Sequence, residues 1–237
     1  MMTRSRSRAL CTDPVWQGRS DCKHCGIRHM MLFSGLQDSD FDHIFEPIDN
    51  LRYAENSQLY GQGDSGNQLF SIRRGFVKLV QTQEDGSQRI VRVLGPGAIT
   101  GLEALLNKPY HHAAISLSEI DTCRITTATL EQLESEKPWL NEKVMDHWDR
   151  HLSTADRWIS EVSSGTVRSR ILKLLRFLVE LNGGEDSTVR FFGHEDMASM
   201  LGISRETFSR VFSELKEEGI ISSTGENRVF RVSGAHR

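Results

Sequence analysis

No apolar run in this chain approaches the roughly 18 residues that a bilayer-spanning helix needs, although hydrophobic residues fill 38% of its 237 positions. A membrane partner is therefore not expected. The first residues are rich in Arg and Ser but lack the apolar stretch of a secretory signal, so the expected location is the cytoplasm. Positive charge is not in surplus either: 29 Lys and Arg face 32 Asp and Glu, a net charge of −3. The deficit is uneven. Residues 31–164 carry 12 basic against 20 acidic side chains, and residues 165–237 carry 11 against 10. Cysteine is limited to four, and in a cytosolic chain structural disulfides are not expected.

What is present is clearest near the C-terminus. Glu195-Asp196-Met197-Ala198-Ser199-Met200-Leu201 has the apolar spacing of a short helix, and Gly202 can supply a left-handed turn residue. Ser204 then stands at the cap of a second helix. Phe208, Val211, Phe212 and Leu215 make its apolar stripe, while Arg205, Glu206, Ser209 and Arg210 lie off the stripe near its N-terminus. A helix-turn-helix inserts such N-terminal positions into the DNA major groove. Arg can grip a guanine edge, Glu can accept from cytosine, and Ser adapts to either. With so little basic excess, two copies contributing phosphate contacts together are expected.

Upstream, Leu69–Ile72, Phe76–Val80 and Arg89–Leu94 read as short strands punctuated by glycines, the pattern of an antiparallel roll or barrel. From Leu140 the period turns helical. Val144, Trp148, His151, Ala155, Trp158 and Val162 recur at threes and fours, and pairing of this long helix with its own copy would cover that edge. Ser163-Ser164-Gly165-Thr166 breaks the pattern as a hinge, and two strands after Gly219 form a wing. The expected domains are a mobile cysteine-bearing segment at 1–30, a sensor roll at 31–136, a dimerisation helix at 137–164 and a DNA-binding domain at 165–237.

Three of the four cysteines, Cys11, Cys22 and Cys25, fall in the first 25 residues, and Cys123 lies far downstream. Cys22-x-x-Cys25 has a spacing shared by zinc and iron–sulfur sites. Four thiolates match the need of a [4Fe–4S] cluster, with zinc binding and thiol redox chemistry as the alternatives.

Glu206-Thr207-Phe208-Ser209-Arg210 resembles the Glu-x-x-Ser-Arg recognition motif of the FNR branch of the CRP/FNR regulators, and Arg205 resembles the extra arginine of the CRP branch. The resemblance runs from about Cys22 to Val232. It implies an α+β fold: an N-terminal antiparallel β-roll like that of cyclic-nucleotide-binding domains, a long dimerisation helix and a C-terminal winged helix-turn-helix. It further implies a homodimeric transcription regulator of palindromic double-stranded DNA, with half-sites resembling TTGAT. RNA polymerase would be a partner, touched through a loop such as Glu84-Asp85-Gly86-Ser87. In FNR-type oxygen sensors an N-terminal Cys-x-x-Cys pair combines with a cysteine of the roll. Cys22 and Cys25 resemble the pair, and Asp121-Thr122-Cys123-Arg124-Ile125 resembles the segment bearing the last ligand. The chain departs from that pattern at Met31, where a further cysteine is usual. Cys11 would then be the fourth ligand, or else His24 or His29 would serve. Gly101-Leu102-Glu103-Ala104-Leu105-Leu106 resembles the short helix of the nucleotide pocket. Tyr110-His111-His112 replaces the arginine that pairs with the cyclic phosphate, so no cyclic nucleotide is expected. A cupin-type enzyme is the remote alternative, and adjacent His111 and His112 are a poor ligand set for it. No enzyme is expected.

Overall fold

The structure, a computed structural model, describes residues 13–44, 47–182 and 187–233. Among the described residues, nine strands build the N-terminal roll. They are β1 (Val15–Arg19), β2 (Asp49–Tyr53), β3 (Gln58–Tyr60), β4 (Gln68–Arg74), β5 (Val77–Thr82), β6 (Gln88–Leu94), β7 (Ile99–Thr100), β8 (Ala113–Ser116) and β9 (Ile120–Thr126). One sheet has the order β1-β2-β9-β4-β7 and faces a second of order β3-β8-β5-β6.

Strand alternation sends each sheet's side chains to two separate cores. Phe70, Ile72 and Ile120 point between the sheets, where they meet Leu51, Val77 and Leu79. Leu69, Cys123 and Ile125 occupy the opposite face of the first sheet. That outer face is covered by Leu32, Phe33 and Leu36, by α1 (Thr127–Glu136) and by the start of α2 (Leu140–Arg157). Gly101, with φ of 84°, lets the chain turn after β7. A Cβ there would sit 2.7 Å from the Gln68 carbonyl.

The segment before Cys22 is not free over its whole length. Val15–Arg19 adds to the edge of the first sheet, with Val15 opposite Arg52 and Trp16 opposite Leu51. Backbone pairing holds it, since Val15 and Trp16 remain exposed. An apolar pattern could not have revealed such a strand.

A single π-helical turn (Trp158–Val162) prolongs α2. Thr166 then caps α3 (Val167–Leu181) by accepting from the Ser169 amide at 3.2 Å. Next come β10 (Thr188–Arg190), α4 (His194–Leu201), α5 (Arg205–Glu217), β11 (Ile221–Ser223) and β12 (Val229–Val232). The last two are the expected wing strands. β10 joins them in a sheet of order β10-β12-β11.

This C-terminal domain is docked on the outer face of the second sheet. Phe76, Val80, Ile90, Val93 and Ile115 share one core with Leu178, Phe192 and Met197. Phe76 meets Phe192 edge-on at 5.3 Å, and Lys78 Nζ lies 2.6 Å from Asp196 Oδ1.

Candidate cysteine site and nucleic-acid interface

Cys22 and Cys25 sit on the loop that leaves β1, just before a 3-10 turn at Arg28–Met30. The Arg28 amide donates to the Cys25 carbonyl at 3.0 Å and closes this turn. The Arg28 side chain ties the loop to the roll: it pairs with Asp38 at 2.7 Å and lies 4.8 Å above the Phe41 ring. Cys123 comes from central β9, opposite Asn50 and Ser71. Its sulfur accepts from the Ser20 hydroxyl at 3.3 Å.

Cys22 and Cys25, with Cys123 about a hundred positions away in sequence, line one cavity of about 30 Å³ together with Met31, Leu32, Ile48 and Ile125. Met31, at the position of the missing cysteine, is buried, and its sulfur accepts from Ser71 Oγ at 3.4 Å. Burial, with Cys123 and Cys25 beside it, pushes the Cys22 thiol up to about 12. Burial likewise raises Cys123, while the Ser20 hydrogen bond opposes the rise. Cys22 and Cys123 are therefore protonated unless a metal displaces their protons.

The donor set of soft sulfurs in an apolar wall suits an iron–sulfur group or zinc in kind. The space as it stands holds a water or two. Among the described residues, no three of His, Cys, Asp and Glu stand close enough to hold a metal ion directly, so the cysteine loop must shift to admit one. Cys11 lies outside the described residues. His24 instead faces Asp21 at 2.9 Å in solvent, and neither His24 nor His29 lines the cavity.

At the other end of the chain, Gly202 adopts φ of 61° at the turn between α4 and α5. Ser204 caps α5, accepting from the Thr207 amide at 3.1 Å. Phe208, Val211, Phe212 and Leu215 are buried beneath, with Phe208 and Phe212 stacked at 5.5 Å. Arg205, Glu206 and Arg210 are exposed and Ser209 half-exposed on the outer face. Arg210 meanwhile pairs with Glu214 at 3.0 Å, a contact water keeps weak and a base edge can replace. In the wing, Arg228 reaches back to Glu55 of the roll at 2.9 Å.

The six positions expected at the helix seam divide between two directions. Val144, Trp158 and Val162 are buried against their own chain, and His151 meets Arg92 of β6 at 3.1 Å. Trp148 and Ala155 are half-buried. The large apolar residues left in solvent on α2 and its extension are Met145, Leu152 and Ile159, at 55, 63 and 68% exposure. They stand seven apart. With half-buried Trp148 and Ala155 between them they follow the alternating three-four spacing of a two-stranded seam. The signal was present in the sequence but was outweighed by the bulkier tryptophans beside it.

Two family profiles match the chain: "Cyclic nucleotide-binding domain" over residues 50–137 and "Crp-like helix-turn-helix domain" over residues 172–233. Among similar proteins, the transcriptional activator protein anr of Pseudomonas aeruginosa is 26% identical, over 88% of this chain and 87% of the relative. The cyclic AMP receptor protein of Thermus thermophilus is 28% identical, over 80% and 87%. FixK2 from Bradyrhizobium japonicum shares the fold at a TM-score of 0.71 and 19% identity, covering 80% of this chain and 94% of that one. A β-roll joined through a long helix to a helix-turn-helix with an open polar face defines a DNA-binding transcription regulator, not an enzyme. The chain belongs to the CRP/FNR family.

Proposed function

We propose that this regulator senses oxygen or a related oxidant through a [4Fe–4S] cluster held by Cys22, Cys25 and Cys123, with Cys11 as the fourth ligand. The observation that carries the reading is the convergence of thiols from the N-terminal loop and from β9 on one apolar cavity. Relatives named as anaerobic regulatory proteins, such as that of Pasteurella multocida at 25% identity, support it. When bound, the cluster supplies oxidant-sensitive Fe–S bonds.

The chain's own residues do the rest. Cys22 and Cys25 fasten the loop after β1 to β9. The same outer core holds Leu140 and Val144, so the fastening bears on the start of α2. α2 pairs with a second copy through Met145, Trp148, Leu152, Ala155 and Ile159. Pairing sets two α5 helices about 34 Å apart, one turn of the duplex. Arg205, Glu206, Ser209 and Arg210 then read a palindrome with TTGAT-like half-sites, and RNA polymerase is met through the β5–β6 turn at Glu84–Ser87. These steps belong in the cytoplasm.

In a bare thiol–disulfide switch Cys22 would be a poor attacking group, because burial holds its thiol protonated. The deciding measurement is iron and acid-labile sulfide per chain after oxygen-free purification, with the visible spectrum followed on admitting air. About four of each is expected, with absorption that fades. Zinc in their place, or neither metal nor sulfide, would refute the cluster and leave DNA reading intact.

A further inference from the structure

Arg73 belongs to β4, two positions beyond Ser71, which lines the cysteine cavity opposite Cys123. The register of β4 against β9 slips between Ile72 and Arg74, so Arg73 stands at a bulge beside the cysteine-bearing strand. Its side chain is half-buried. With the Asn50 amide turned to satisfy both of its ends, Arg73 Nη1 donates to the Asn50 oxygen at 2.8 Å. The Asn50 nitrogen then donates to the Thr122 carbonyl at 3.2 Å. Asn50 is the residue of β2 directly opposite Cys123. A neutral amide therefore holds the guanidinium beside the strand that carries the buried thiol.

The acidic groups of this sheet are committed elsewhere. Asp121 pairs with Arg52 at 2.7 Å and with Arg74 at 3.1 Å, Glu119 pairs with Arg74 at 2.7 Å, and Asp49 pairs with Arg124. None of these carboxylates pairs with Arg73. The other arginine at the cavity, Arg28, is taken up by Asp38 and by the Leu36 carbonyl. Asp21, the acidic neighbour of Cys22, faces His24 in solvent.

Burial raises both Cys22 and Cys123, and at each of them the Arg73 charge works against that rise. One guanidinium thus acts on sulfurs from two separate segments. Thiolates gathered in an apolar wall concentrate negative charge, which is costly without compensation. Metal–sulfur centres respond to the charge and hydrogen bonding around their sulfurs. Arginine keeps its proton in proteins, so the compensation it offers is permanent.

We propose that Arg73 is the counter-charge of the cysteine centre, a fixed cation outside the ligand set that stabilises the gathered thiolates and holds up the reduction potential of the bound cluster. The inference rests on the cluster reading above. A positive charge favours the more negative of two redox states, so its removal makes an electron easier for dioxygen to take. Arg73 thereby sets how much oxidant the regulator tolerates before it responds.

Full-length protein purified without oxygen is assayed for iron and acid-labile sulfide. It is then titrated with dithionite in the presence of redox mediators while visible absorption is followed. Arg73→Gln is expected to shift the midpoint potential below that of the wild type and to speed fading in air. Arg73→Lys, which keeps the charge and loses the planar fork, should stay near the wild-type potential. The urea midpoint of metal-free Arg73→Gln should stay level or rise, because a half-buried cation without a carboxylate partner has been removed. If Arg73→Gln does not fold, Arg73→Met supplies the neutral variant. A neutral variant that folds but holds no iron, beside a lysine variant that does, is the stronger form of the expected result.

Three results would overturn the proposal and leave the cluster standing. The neutral variant and the wild type share one potential and one rate of fading. The lysine variant shifts as far as the neutral one, which assigns the effect to the Asn50 hydrogen bond and not to charge. The neutral variant loses stability without its metal yet keeps the wild-type potential, the signature of a merely structural arginine. Wild-type protein without iron and sulfide would overturn the cluster reading and this inference together.

Discussion

At the residue scale, the informative side chains are those whose neighbours contradict their chemistry. Met31 lines the cavity with the three thiols, so Met31→Cys should replace its thioether with a fourth thiol. If the cluster is present, slower bleaching in air than in the wild type is expected, read at visible wavelengths. His147 is a plainer case. It is 3% exposed, and burial, then Arg150 and His151, push it down to about 4. The folded chain keeps this ring neutral while the unfolded chain protonates it near its ordinary value of 6.5. Stability is therefore full above pH 6.5 and falls as the pH drops from there toward 4, by roughly 3 kcal/mol in all. Urea midpoints at pH 7.5 and 5 should differ accordingly, and His147→Leu should flatten the slope. Phe208 is fully buried and touches Phe191 and Phe212. Truncation to Ala should cost about 3–5 kcal/mol and abolish operator binding through unfolding of the domain. Arg205→Ala should leave the urea midpoint in place and change affinity alone, by about 1–3 kcal/mol. Gel-shift titrations separate the two.

At the element scale, the sequence announced most of what was built. The strands at Leu69–Ile72 and Arg89–Leu94, the α4–Gly202–α5 turn and the wing all follow from local pattern, because alternation, a left-handed glycine and an N-cap are local devices. Two features escaped. β1 is held by main-chain pairing at a sheet edge, which side chains do not encode. Val144, Trp158 and Val162, expected on the pairing edge of α2, find partners within their own chain, a fact of tertiary packing. A helix with two apolar edges cannot say from sequence which one turns inward. The exposed edge makes a sharp expectation: Leu152→Glu should yield monomers without loss of helicity, since no buried contact is broken. Sedimentation velocity alongside circular dichroism checks it. Convergence of Cys22, Cys25 and Cys123 was legible only through family resemblance, because spacing says nothing about which strand lies under a loop.

At the scale of the whole molecule, the DNA-reading domain is not carried on a loose tether. It leans on the roll through a shared core and through the Lys78–Asp196 pair, with side chains 11 and 23% exposed. Asp196→Ala would leave the lysine charge without its partner in that contact, at a cost of about 1–3 kcal/mol. Hydrogen exchange should then rise at α4 and β6 while α5 amides stay protected. Unchanged exchange at α4 would mean that the apolar core alone fixes the docking. Roll and DNA-reading domain thus share one packed body in this form.

Trp16, 62% exposed on β1 and hydrogen-bonded to Asp49 at 3.1 Å, stands six positions before Cys22. The first sheet, whose central strand bears Cys123, thus carries a fluorophore on its edge strand. A broadly absorbing chromophore there would drain its emission, and removal of that chromophore would restore it. The light given off by this one indole, isolated by replacing Trp139, Trp148 and Trp158 with Phe, would then time loss of the proposed cluster in a stopped-flow cell without any added label.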